Sequence, residues 1–165
     1  MKKYILVMSL IVGLSQVSVV FSDSPSDHSE NSKIKRVYKC GIIKGLLFSP
    51  QMISQAIERS LTEDLRFGTC SLAYYHGLLR SAIEGGRGLQ SALSQLADSS
   101  VFDGDDAEDE LEELSDDIQD ELDRAEEHLK KGNEFSVGST LGNLATFFSD
   151  DVNEELERIA QEFCE

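Results

Sequence analysis

The groups in this chain that could do chemistry are few: three histidines, three cysteines and one dense run of carboxylates. His28, His76 and His128 stand far apart, and none has a partner at a spacing that chemistry uses. The sequence contains no His-Glu-x-x-His pair to hold zinc, no Gly-x-Ser-x-Gly turn to expose a nucleophile, no phosphate-cradling glycine loop and no Cys-x-x-Cys redox pair. Cys70 and His76 are six residues apart, which puts them on different faces of one helix and denies them the contact of a nucleophile and its base. Tyr74-Tyr75-His76 reads as helix periodicity, with Tyr75 inward and its two neighbours towards the surface. The chain is therefore expected to be non-enzymatic and to need no cofactor.

The carboxylates suggest calcium before anything else. An EF-hand loop needs oxygen ligands at its first, third and fifth positions, Gly at the sixth and Glu at the twelfth. A loop starting at Asp103 has Ala107 fifth and Glu108 sixth, and one with Gly104 sixth starts at Ser99, so neither register works. What remains is a weak site from Asp103, Asp105, Asp106 and Asp109, set against a solvated acidic face.

That face is part of a helix. Asp103 to Glu127 hold fifteen acids and one Arg, a net of −14 in twenty-five positions. Threaded through them is an apolar ladder, Leu111, Leu114, Ile118, Leu122, Ala125 and Leu129, whose spacings of 3, 4, 4, 3 and 4 keep it on one side of a helix. Such a helix cannot stand alone, because its carboxylates repel at i,i+3 and i,i+4. The segment Leu141, Ala145, Phe148, Val152, Leu156, Ile159, Phe163 repeats the ladder with spacings 4, 3, 4, 4, 3 and 4. The two are expected to pack antiparallel as a coiled-coil-like hairpin, with Lys130, Lys131 and a left-handed Gly132 closing the first and Ser149-Asp150-Asp151 marking a break in the second.

Upstream, Ser49-Pro50 predicts a helix start, with Met52, Ile53, Ala56, Ile57 and Leu61 on its apolar face. Thr62 offers a further start, and Gly68 an interruption. The apolar face continues through Leu72, Tyr75, Leu78, Leu79, Ala82 and Ile83. Gly85-Gly86-Arg87-Gly88 is expected to break it, leaving a short helix from Leu89 to about Ala97. Strand signals are absent from the sequence. The expected fold is all-α: a single-domain bundle of four to six helices, the last two forming the antiparallel hairpin.

The N-terminus sets the expected compartment. Lys2 and Lys3, the apolar run Ile5 to Val20 and the small-residue site Val20-Phe21-Ser22 make residues 1–22 a secretory signal peptide. Ser9, Gly13, Ser15, Gln16 and Ser18 interrupt that run, leaving less than the ~20 apolar residues of a membrane span. Residues 23–36 form a flexible polar tail ending in the basic site Lys33-Ile34-Lys35-Arg36, which would make the tail a propeptide if cleaved; residues 37–165 form the helical domain. In a secreted chain Cys40, Cys70 and Cys164 are disulfide candidates, and their odd number leaves one thiol that is either buried or joins two chains as a homodimer.

Removing residues 1–22, which carry two lysines and no acid, takes the formal charge from −16 to −18, so nucleic acid is disfavoured as a partner and stable membrane insertion is not expected. The one concentrated basic segment, residues 33–44, carries five cations and no acid, and is expected to pair with the acidic helix. The leading reading is a secreted, extracellular helical protein that binds another protein. Its contact residues would be Asp109, Glu113, Asp116, Asp117 and Asp120 on the acidic helix, or Lys35, Arg36 and Lys39 on the basic segment. The alternatives are an extracellular carrier holding a small apolar ligand or lipid among Met52, Phe135, Phe147, Phe148 and Phe163, and a weak calcium-binding acidic protein.

Overall fold

The acidic ladder is buried from Leu111 to Ala125, and its last rung, Leu129, is half-buried. In the computed structural model, which describes residues 28–67, 71–102, 104, 106–132 and 134–164, Ala107, Leu111, Leu114, Ile118, Leu122 and Ala125 are all buried on the inner side of one long helix. The elements in order are α1 (His28–Leu46), α2 (Phe48–Phe67), α3 (Leu72–Ala97), α4 (Asp106–Lys131), α5 (Glu134–Phe147), a π-helical turn (Phe148–Val152) and α6 (Asn153–Cys164). No strand occurs among the described residues. The fold is all-α and single-domain, with one contiguous core that takes side chains from every helix.

The most extensive partner of α4 is α3. The two run antiparallel: Gln90 bonds Ser115 at 3.1 Å near the start of α4, while Arg87 reaches Glu126 at 2.6 Å near its end. The final ladder, expected to be that partner, meets α4 more lightly through α5 and α6, and most of its contacts go to α1, α2 and α3. Its rungs Leu141, Ala145, Phe148, Val152, Leu156 and Ile159 are nevertheless all buried. The π-helical turn falls on the Ser149-Asp150-Asp151 break, with Phe148 and Val152 still inward on either side of it.

Gly85-Gly86-Arg87-Gly88 does not break the chain: α3 runs through it without interruption. The reason is a close approach. A Cβ on Gly86 would stand 2.7 Å from a Leu122 methyl carbon and 2.8 Å from Phe148 Cζ, so this glycine lets α3, α4 and the π turn share one seam. Gly132 also differs from expectation. Among the described residues the positive-φ glycine is Gly104, at 76°, whereas Gly132 ends α4 by donating its N–H to the His128 carbonyl at 2.6 Å, where a Cβ would collide with that carbonyl and with Ser136.

At the other end of the chain, α1 begins at His28, within the stretch expected to be a flexible tail, and includes the basic site at 33–36. It packs chiefly on α6, to which Cys40 is joined by a disulfide with Cys164, 124 residues away. Cys70 lies outside the described residues.

Two stability predictions follow from this packing. Gly86→Ala should destabilise the fold by about 1–3 kcal/mol through overpacking, while Gly88→Ala, whose Cβ meets nothing within 4 Å, should stabilise it by about 0.5–1 kcal/mol; urea unfolding of both variants checks the pair. Replacing Cys40 and Cys164 together by Ser should cost roughly 2–5 kcal/mol in the same assay, because the bond closes a long loop.

Candidate functional site

The outer side of α4 follows from the same periodicity that fixes its inner side. With the ladder inward, Asp109, Glu113, Asp116, Asp117 and Asp120 are turned to solvent, and all five are exposed. Among the described residues none of the five has an ion pair or hydrogen bond. They form a continuous row of carboxylates over three turns.

The cations that reach α4 serve the carboxylates at its flanks instead. Arg87 of α3 pairs with half-buried Glu126 at 2.6 Å, and Lys130 reaches the same group at 3.6 Å. Arg124 pairs with Glu121 at 2.7 Å, and Lys131 with Glu127. Arg158 of α6 is the widest bridge: it holds Glu110 of α4 at 2.8 Å, Glu155, and Glu162 at 3.5 Å. Glu110 needs this partner, since its Oε2 is buried without a hydrogen bond of its own. The hydrogen bond from Arg158 holds the Glu155 carboxyl below the usual carboxylate range, against the opposing effect of partial burial. Donating to Glu155 and Glu110 raises the guanidinium in turn. In the last turn, the hydrogen bond from Lys131 lowers Glu127. At the start, the Gly104 N–H donates to Glu108 Oε2 at 3.1 Å, so one acid serves the helix end directly.

The basic segment packs chiefly on α6 rather than on α4. It forms the middle of α1 and faces α6, where Arg36 donates to the Glu162 carbonyl at 3.1 Å. Lys39 Nζ stands 5.4 Å from the ring centres of both Phe102 and Phe163, which are themselves edge-to-face at 5.6 Å. Lys35 is exposed. The two halves of the expected contact set, acidic and basic, thus lie on different helices that do not share a seam.

Of the calcium candidates, Asp103 and Asp105 lie outside the described residues, and Asp106 and Asp109 are exposed on the first turn of α4. Among the described residues no three His, Cys, Asp or Glu side chains converge as a metal site would need. The aromatic set considered for an apolar ligand is dispersed. Phe148 is in the solid core with Phe147 edge-on to it, Phe163 lies against Phe102, and Phe135 and Met52 are on the surface. Two surface grooves are present, one of about 690 Å³ beside Tyr75, Phe135, Gly138 and Ser139 and one of about 500 Å³ beside Leu72, Ala73, His76, Gly77 and Arg80. His76 Nε2 is buried without a hydrogen-bond partner in the second neighbourhood.

Comparison of the chain with family models, curated protein sequences and solved structures finds no match. The chemistry of the site is therefore read from its own residues.

Arg158 gives a pH-dependent prediction. Because the folded-state pKa of Glu155 is depressed, the stabilisation it draws from Arg158 is present above the ordinary value of 4.5 and is lost as pH falls through the lower folded value. Arg158→Met should cost no more than about 1 kcal/mol near neutral pH, as suits a half-exposed network, and urea titrations at falling pH should show the gap to the unaltered chain closing in acid.

Proposed function

We propose that this chain is a secreted, non-enzymatic helical protein that acts by binding another protein through the acidic outer face of α4. The observation that carries the reading is the row Asp109, Glu113, Asp116, Asp117 and Asp120, exposed and without a countercharge among the described residues while Glu110, Glu121, Glu126 and Glu127 of the same helix have theirs. A rigid helix fixed along its whole inner side presents such a row at constant spacing, so its affinity for a cationic partner surface is not spent on ordering side-chain scaffolding. The compartment in this reading rests on the leader-like residues 1–22 and agrees with the Cys40–Cys164 bond, since disulfides persist in oxidising surroundings.

The partner implied is an extracellular protein with a basic patch, and the association should weaken as salt rises, because exposed charges are screened beyond ~8 Å at physiological ionic strength. The test is capture by the immobilised chain from extracellular fluid, compared with a variant carrying Asp116→Lys, Asp117→Lys and Asp120→Lys. Capture should be abolished while circular dichroism reports unchanged helicity. Capture that survives the three reversals removes the acidic face from the account.

A further inference from the structure

A second surface stands apart from the acidic row. On the outer side of α1 and the first turns of α2, Ile34 is 53% exposed, Val37 71%, Phe48 70% and Met52 57%. Their spacing, with Gly41 and Gly45 filling the intervening turns, is 3, 4, 4, 3 and 4, so they fall on one helical line. Only Leu47 separates α1 from α2, its N–H still donates to the Ile43 carbonyl at 3.3 Å, and the two helices touch each other lightly. The line therefore carries across the junction as a ridge rather than folding back on itself. A Cβ added at Gly41 or Gly45 would meet nothing within 4 Å, so the outer side is open there as well.

Cations border this ridge. On a helical wheel Lys33 and Lys44 fall to one side of the line and Lys35 to the other. All three are exposed, and among the described residues none has an ion pair. The opposite sides of α1 and α2 are the ones that bury Ile43, Leu46 and Ile57.

We propose that the α1–α2 ridge is a docking surface for the face of a phospholipid bilayer bearing anionic headgroups. Charge complementarity argues for this occupant: three cations flank a straight apolar line, the pattern of a helix lying in the plane of a membrane interface. Shape argues for it too. The large side chains Ile34, Val37, Phe48 and Met52 stand out from the surface, each more than half exposed. The acidity of the chain does not oppose it locally. α1 packs chiefly on α6, and any contact between α1 and the acidic helix is slight. The attachment is peripheral, for no described helix is long and apolar enough to cross a membrane.

The test is sedimentation of the disulfide-bonded chain with vesicles of phosphatidylcholine containing roughly 30 mol% phosphatidylserine, against vesicles of phosphatidylcholine alone, at ~0.15 M salt. Binding should favour the anionic vesicles. It should fall about tenfold or more in Val37→Ser with Phe48→Ser, and likewise in Lys35→Glu with Lys44→Glu. Phe135→Ser, an equally exposed apolar site away from the ridge, should bind as the unaltered chain does. All five positions are exposed, so circular dichroism should be unchanged. Three results would overturn the proposal: no binding to the anionic vesicles, equal binding to the neutral ones, or binding that both double variants retain. If the vesicles fail but the ridge variants abolish capture of a protein partner, the ridge is a protein interface and the bilayer proposal is wrong. None of these variants touches α4, so the acidic-face reading is tested separately.

Discussion

Burial of one apolar stripe is what allows α4 to exist. Carboxylates at i,i+3 and i,i+4 along the helix repel by about 0.2–0.5 kcal/mol per pair, and Asp109, Glu112, Glu113, Asp116, Asp117 and Asp120 make many such pairs. Each large rung withdrawn from water returns about 1.5–3 kcal/mol, and Leu111, Leu114, Ile118 and Leu122 are all buried. One rung thus offsets several repulsions, and the helix persists for its full twenty-six residues. The core must then be built so that this stripe is covered throughout. α3, also twenty-six residues, is the element long enough to do it.

The same constraint sorts the charges. Carboxylates close to the seam lose hydration, and these are the ones given arginines: Glu126 meets Arg87 and Glu110 meets Arg158. Both bridges join α4 to another helix, so they fix its rotation as well as its charge. Carboxylates on the far side keep their water and are left without internal partners. The acidic row is therefore what remains once packing has given Glu110 and Glu126 their arginines.

Periodicity made the buried sides of α4 and of the final segment legible from sequence, because a 3.6-residue repeat of Leu and Ile records which side faces inward. It did not record which helix lies opposite. Leu111 or Ile118 can be covered by any apolar stripe, and the choice of α3 depended on Gly86, where the absent side chain admits Leu122 and Phe148. Read locally, three glycines in four residues signal a turn; in the fold Gly86 signals proximity, and packing outweighs the helix-propensity cost of about 1 kcal/mol apiece. The bridges from Arg87 to Glu126 and from Arg158 to Glu110 left no sequence signal, being made between residues 39 and 48 apart. The row of exposed acids was legible in full, since it is the complement of the ladder. The ridge on α1 was hidden, as exposure of Val37 and Phe48 depends on where α6 lies.

The Cys40–Cys164 bond bears on that ridge through the energetics of α1. A helix of nineteen residues whose buried large side chains are Ile43 and Leu46 gains little from the core. Those two contribute about 3–6 kcal/mol by burial. Closing a loop of 124 residues removes about 4–5 kcal/mol of chain entropy from the unfolded state, a sum comparable with the burial itself. Lys39 over Phe102 and Phe163 and Arg36 at the Glu162 carbonyl lie within a turn of Cys40, so the bond also concentrates the weaker contacts around it. Reduction would release α1 from α6 while leaving α3 and α4 seated on each other. The acidic face is thus set by burial and the Arg87 and Arg158 bridges, and the basic ridge by burial together with the Cys40–Cys164 bond.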